Sequence, residues 1–378
     1  MGNVEAFDEK LVHAEQKIAI YGTTPCGIMV KECLENIGLE VSIFIDRIRV
    51  QENYVGVPIF HFEEIADFND YLIINCTSAN FWNINKFLFD NGIETVYHGL
   101  SLLSLGINRN LIKNKECIEL YKHYVNKEDD DSIYKVSAII TERCSLRCKY
   151  CTEYMPHIPG GGMHADVDVC IKSITNLLDA IGKLESITII GGEVFTHPQW
   201  EVLVKWCVDE ERIQEVRVLT NSTIVPSKRE ILRNKKVVLM LDDYGKTSRK
   251  LDELKSIAID ENIRYVIYKH DYWYDVLGCE YVDESSRELI KKYEVCRLKG
   301  CWNISDGFLY KCVTSYYKMK YKLSREIGEI EDFIDLLNSD SMKIRESVIE
   351  LSQKKYLEAC KYCIGTGNDN IVDVAEQL

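Results

Sequence analysis

Ile140-Thr-Glu-Arg-Cys144-Ser-Leu-Arg-Cys148-Lys-Tyr150-Cys151 follows directly on a short apolar run, Val136 to Ile140, so a strand hands over to a C-x3-C-x2-C loop. Three thiolates on one tight loop can hold three corners of a cubane iron–sulfur cluster, and they leave its fourth iron without a protein ligand, open to a cofactor. A closed zinc knuckle wants a fourth Cys or His close by. The nearest histidine, His157, belongs to a Pro- and Gly-rich stretch with no helical spacing to present it.

With the strand before it and the aromatic Tyr150 just ahead of the third cysteine, the string resembles the signature of the radical S-adenosylmethionine (SAM) enzymes. The resemblance implies a 4Fe-4S cluster on Cys144, Cys148 and Cys151 whose unique iron is chelated by the amino and carboxylate groups of SAM. It implies one-electron cleavage of SAM to methionine and a 5′-deoxyadenosyl radical that takes hydrogen from an unactivated C–H bond, with a flavodoxin- or ferredoxin-type electron donor. The protein's share is then to hold SAM and substrate carbons in contact and to keep water and oxygen away.

At 378 residues and 46 % hydrophobic composition, the chain is long enough for two or three domains with cores of their own. Fifteen cysteines would suggest disulfides in a small secreted chain. Here no signal peptide is evident, and clustered cysteines in a large chain point instead to metal and to a reducing, cytoplasmic location. No apolar run approaches the roughly 20 residues that span a bilayer. A net charge of −14 argues against a nucleic-acid partner, because phosphate binding needs basic surface.

Residues 1–105 alternate strand and helix signals: strands at Lys17–Tyr21, Val41–Asp46, Tyr71–Asn75 and Glu94–Tyr97, and helices at Pro25–Ile37 and Phe81–Asp90. That alternation predicts a Rossmann-like parallel sheet. The first turn, Gly22-Thr-Thr-Pro-Cys-Gly27, occupies the position of a dinucleotide fingerprint, and Asp46 that of a ribose-binding acid. Thr24 replaces the middle glycine, so a side chain stands where backbone must approach a pyrophosphate. The segment looks like the small modules attached to enzymes of surface-polysaccharide and nucleotide-sugar pathways. A helix over 111–125 and the acidic run Lys127-Glu-Asp-Asp-Asp131 make 106–132 a helical linker.

Residues 133–280 are expected to form a partial TIM-type (β/α)6 barrel like that of the radical SAM family, with strands at Val136–Thr141, Ser186–Ile190, Glu215–Leu219, Val237–Leu241 and Ile263–Tyr268 and a helix over Val169–Ile181. Ligands of such sheets gather beyond the carboxyl ends of the strands, and the motifs fall there. Gly191-Gly192-Glu193 ends the second strand and resembles the family's motif for the SAM amino group, with Glu193 receiving the ammonium. Asn221 ends the third strand and Asp242 the fourth. By resemblance, Asp242 takes the SAM ribose hydroxyls and Arg249 or Lys250 its carboxylate, although the commoner Ser-x-Asp-Gly pattern is absent. His270, after the fifth strand, is a candidate base, with a surface role as the plainer alternative.

Residues 281–378 repeat the cysteine theme: Cys296, Cys312, Cys360 and Cys363, with Asp306-Gly307 as a two-residue hairpin turn between them. The spacing resembles the twitch domain, the shortened relative of the SPASM domain, and implies a second, auxiliary 4Fe-4S cluster; a zinc site of the same thiolates is the alternative. Cys301 is a spare that could replace one of the four. Cys26, Cys33, Cys76, Cys117, Cys170, Cys207 and Cys279 have no paired spacing and default to buried small apolar roles.

The leading expectation is therefore a radical SAM enzyme carrying out net oxidation or rearrangement of a small-molecule substrate, namely a sugar, polyol or nucleotide-linked sugar. Modification of a ribosomally made peptide is the alternative, although the winged-helix leader-binding domain common in such enzymes does not match the alternation in residues 1–105. A non-catalytic iron–sulfur protein would have no use for Gly191-Gly192-Glu193.

Overall fold

The computed structural model of the chain describes residues 2–13, 16–46, 53–65, 67–77, 81–104, 115–126, 133, 135–276, 281–296, 298–321, 332–366 and 370–378. They fall into two compact units, residues 1–130 and 131–378.

In the first unit the short apolar runs become strands of one sheet. β1 (Asn3–Ala6), β2 (Lys17–Tyr21), β3 (Val41–Ile45), β4 (Asn53–Tyr54), β5 (Val57–Phe60), β6 (Tyr71–Asn75) and β7 (Thr95–His98) lie in the order β1-β7-β6-β2-β3-β5-β4. Every neighbouring pair is parallel except β4–β5. Ile18, Ala19 and Ile20 of β2 are all buried, the pattern of a strand covered on both faces. The helices are α1 (Pro25–Asn36), α2 (Phe81–Asp90), α3 (Leu100–Ser104) and α4 (Lys115–Asn126). The first residues of the helix expected over 111–125, and the acidic run after it, lie outside the described residues.

The glycine-containing turn is closed by its own groups. Thr24 Oγ1 accepts from Gly27 N at 3.0 Å, capping α1, and donates to the Cys76 carbonyl at 2.8 Å. Asp46 Oδ2 accepts from the Thr23 hydroxyl at 2.6 Å and from Thr23 N. Thr24 thus fills the helix N-terminus, and Asp46 braces the turn.

The second unit is built on an eight-stranded sheet. β8 (Lys135–Thr141), β9 (Leu184–Gly191), β10 (Ile213–Thr220), β11 (Val237–Asp243) and β12 (Tyr265–Lys269) are parallel and adjacent in chain order. β13 (Trp273–Tyr274) leaves the sheet. β14 (Asn303–Ser305), β15 (Phe308–Tyr310) and β16 (Phe333–Asp335) extend it from the β8 side, giving β12-β11-β10-β9-β8-β14-β15-β16. The sixth parallel strand is thus β14, paired with β8, and not a strand following β12. Asp306 and Gly307 both have positive φ, the two-residue turn expected between β14 and β15. α5 (Val167–Ile181), α6 (Trp200–Asp209), α7 (Leu251–Asp260), α8 (Ser286–Glu294), α9 (Val313–Tyr321) and α10 (Ser341–Gln353) complete the unit with β17 (Ile371–Val372), which pairs with β13.

The largest core lies in this unit. Ile174, Leu177 and Leu178 of α5 pack with Val136 and Ile140 of β8 and with Ile187 and Ile189 of β9. Removing one such leucine side chain costs about 2–5 kcal/mol, which is what holds the strand ends in a fixed register. Cys170 and Cys207 are buried in this core, and Cys26, Cys33 and Cys76 in that of the first unit; Cys117 is only partly buried, and Cys279 lies outside the described residues.

Candidate functional site

Parallel pairing brings the carboxyl ends of β8, β9, β10 and β11 side by side, and each delivers a sequence-predicted residue. β8 ends at Thr141, and the loop after it carries Cys144, Cys148 and Cys151. Cys148 is 6 % exposed, and the other two are partly buried. Cys144 lies close enough to Cys148 and Cys151 for their charges to couple. Burial pushes the Cys144 thiol up to about 11 and the Cys151 thiol up to about 12, partly offset by backbone N–H donors. Tyr150 is partly buried, with the Lys149 ammonium 4.7 Å from its ring centre.

Gly191 and Gly192 are required by close packing. A Cβ on Gly191 would lie 2.4 Å from the Thr141 carbonyl oxygen, and one on Gly192 2.4 Å from that of Arg143. Gly192 N donates to Thr141 O and Glu193 N to Arg143 O, both at 2.8 Å. The turn after β9 is thereby stitched to the residue preceding Cys144, and what approaches the glycines so closely is the cysteine loop's own backbone.

This stitching aims Glu193 inward, where it is 1 % exposed. Its Oε1 accepts from Phe195 N at 3.1 Å, its Oε2 from Asn221 N at 2.9 Å, and both oxygens lie 2.9 Å from the Thr220 hydroxyl. Burial raises its pKa to about 7 against these donors, which lower it. Asn221 Nδ2 donates to Cys144 Sγ at 3.4 Å and to Ser145 Oγ at 3.3 Å, while its Oδ1 accepts from the Thr223 hydroxyl at 2.6 Å. One connected network therefore joins the β9 turn, the end of β10 and the first cysteine.

At the end of β11, Asp242 Oδ1 lies 2.8 Å from His270 Nε2, and Oδ2 accepts from the Tyr244 hydroxyl at 2.7 Å. His270 is thus joined to Asp242. Arg249 is exposed, and the alternative cation Lys250 pairs with Glu253 at 2.6 Å. Neither basic side chain has a described bond to the Asp242 group.

The four later cysteines form a second cluster of thiols. Each of Cys296, Cys312, Cys360 and Cys363 lies close enough to the other three for their charges to couple, whereas Cys301 couples to Cys296 alone among the cysteines. The β14–β15 turn, α9 and the 3-10 turn Glu358–Tyr362 bring them together from 68 residues of sequence. Among the described residues, no three His, Cys, Asp or Glu side chains are drawn together as ligands of a single metal ion. The donor set at both places is nonetheless cysteine thiols within charge-coupling range of one another, the ligand type that iron–sulfur clusters take.

Sequence reasoning missed several groups. Glu142, two residues before Cys144, is buried and pairs with Lys320 at 2.7 Å, and Lys320 reaches Asp306 at 2.6 Å. Glu153 has one carboxylate oxygen buried without a partner, and burial raises its pKa to about 7. An acid two residues from a predicted ligand was the available signal in both cases; the partners of Glu142 on α9 were not visible.

Residues 138–261 match the family model described as the Radical SAM superfamily. A stretch of 93 residues, 24 % of the chain, is 28 % identical to an S-adenosylmethionine-dependent nucleotide dehydratase from Selenomonas ruminantium, and it spans 31 % of that relative's length. Among solved structures, SuiB from Streptococcus suis is similar over 57 % of this chain and 47 % of its own, with 15 % identity and a TM-score of 0.32. BtrN in complex with AdoMet and 2-DOIA is similar over 65 % of this chain and 97 % of its own, with 13 % identity and a TM-score of 0.39. No helix among the described residues is long and apolar enough to cross a membrane. Residues 138–261, with their parallel α/β sheet and cysteine loop, thus match a radical SAM superfamily domain within the chain.

Proposed function

We propose that the protein is a radical SAM enzyme acting on a small molecule, a sugar, polyol or nucleotide-linked sugar, with net oxidation or rearrangement. The observation that carries this reading is the network from Glu193 through Asn221 to Cys144, which ties the SAM-motif turn to the cysteine loop. Cys144, Cys148 and Cys151 would hold a 4Fe-4S cluster, which with SAM supplies one-electron cleavage and hydrogen abstraction. Glu193 would receive the SAM ammonium, releasing the proton that burial favours at its carboxylate. Asp242, held by His270 and Tyr244, would meet ribose hydroxyls, and Arg249 would turn in from the surface to the carboxylate.

Cys296, Cys312, Cys360 and Cys363 would hold an auxiliary 4Fe-4S cluster. It would either accept an electron from the substrate, making the net reaction an oxidation, or help to hold the substrate. The substrate class rests on the parallel-stranded first unit, unlike a winged-helix peptide-leader domain, and on the nucleotide named for the Selenomonas relative. A flavodoxin- or ferredoxin-type protein would deliver the electron.

The test is anaerobic reconstitution with SAM and a panel of nucleotide-linked sugars, free polyols and peptides. The expected result is 5′-deoxyadenosine together with a mass change in one sugar or polyol. A mass change in a peptide alone would overturn the substrate class, and no 5′-deoxyadenosine with any reductant would overturn the enzyme reading.

A further inference from the structure

Residues 370–378 are tied to two other segments of the second unit. Asp275 N donates to the Asn370 carbonyl and the Asn370 side-chain amide to the Asp275 carbonyl, β17 pairs with β13 just after the edge strand β12, and the chain then crosses to the cysteine loop at the end of β8. There Lys149 N donates to Glu376 O at 2.7 Å and Leu378 N to Arg147 O at 2.9 Å, so Cys148 and Gln377 face each other as an antiparallel bridge. The buried Ala375, with φ of 49°, makes the turn that sets this register.

The Gln377 side chain is fixed by three bonds that agree on its orientation. Oε1 accepts from Arg147 N at 2.9 Å, one Nε2 hydrogen goes to Ala375 O at 2.7 Å, and the other points at Cys148 Sγ at 3.1 Å. Because a backbone N–H faces Oε1 and a carbonyl faces Nε2, flipping the amide would create a donor–donor and an acceptor–acceptor contact. An N–H is therefore directed at the sulfur of Cys148, the least exposed residue of the three cysteines.

We infer that Ala375–Leu378 is a clasp on the cysteine loop, and that Gln377 is a positioning residue that donates a hydrogen bond to the Cys148 thiolate and so raises the reduction potential of the cluster held there. The inference rests on the reading of Cys148 as a cluster ligand. An N–H donor stabilises the more negative, reduced state, and hydrogen bonds to the sulfurs are among the determinants of cluster potential. Gln377→Leu removes both the donor and the loop contact. Gln377→Glu keeps an oxygen for Arg147 N and replaces the Nε2 donor, which serves both Cys148 Sγ and Ala375 O, with a carboxylate oxygen.

The experiment is a redox titration of full-length, anaerobically reconstituted protein, followed by electron paramagnetic resonance on the signal that SAM perturbs, with iron content measured for each variant. Both variants should titrate at a more negative potential than wild type, Gln377→Glu the lower of the two. Glu376→Ala, which removes only an exposed ion pair with Lys149, should titrate as wild type. If Gln377→Leu loses iron, Gln377→Glu still reads the donor, because it keeps the bond to Arg147. Wild-type potential in Gln377→Glu, with a SAM-responsive signal present, overturns the clasp alone. Absence of any SAM-responsive iron in the wild type overturns the ligand assignment and the clasp with it.

Discussion

Glu193→Gln reads the electrostatics of the strand ends directly. The carboxylate is 1 % exposed, and burial raises its pKa from 4.5 to about 7 in spite of the donors around it. Since the folded value is the higher one, the native state binds the extra proton. Glu193's favourable contribution is therefore complete below the unfolded pKa and is lost as pH rises through about 7. With these two values, the residue's contribution to the unfolding free energy of wild type falls by about 2–3 kcal/mol between pH 5 and pH 8. Glutamine cannot titrate, but one of its two positions must turn an N–H towards Phe195 N or Asn221 N, at a cost of about 1–3 kcal/mol. The difference in stability between wild type and variant should therefore move by about 2–3 kcal/mol in the variant's favour from pH 5 to pH 8. Urea unfolding of the iron-free protein by tryptophan fluorescence measures it. In a Trp82→Phe background the remaining tryptophans, Trp200, Trp206, Trp273 and Trp302, all report on the second unit. A difference that stays constant across this range would refute burial as the origin of the shift.

Three further outcomes are expected. Glu193→Ala should weaken SAM binding about ten- to a hundredfold with iron content unchanged, as measured by anaerobic calorimetry; unaltered affinity would remove Glu193 from the SAM site. Changing Cys144, Cys148 and Cys151 together to Ala should abolish 5′-deoxyadenosine formation and remove about half the iron, while Cys360→Ala with Cys363→Ala should remove the other half, keep slow SAM cleavage and block product formation. Gly192→Ala should cost on the order of 1–3 kcal/mol and lower reconstituted iron, because the new methyl meets the Arg143 backbone; wild-type iron and thermal stability would show that the turn has room to spare.

The amino-acid sequence determined the elements whose signals are local. Apolar runs of four to eight residues gave β2, β3, β6 and β8 to β12 to within two residues at either end, because strand period and turn chemistry act over a few positions. The C-x3-C-x2-C loop and the Gly-Gly-Glu turn were legible for the same reason, and the Asp306-Gly307 dipeptide announced its hairpin through the positive φ that both residues adopt. Tertiary structure alone decided what depends on distant partners. β14 pairs with β8 across more than 160 residues, so the sixth parallel strand stands beside the first and not beside the fifth. Glu193 reads in sequence as a free carboxylate at a strand end, yet β10 folds Thr220 and Asn221 onto it and holds it out of water. Gln377 lies 229 positions from Cys148, and no spacing rule links an amide to a sulfur at that separation. Local propensity selects strands and turns, whereas register between distant segments is chosen by which pairing buries the apolar faces and satisfies the polar groups of the whole sheet at once.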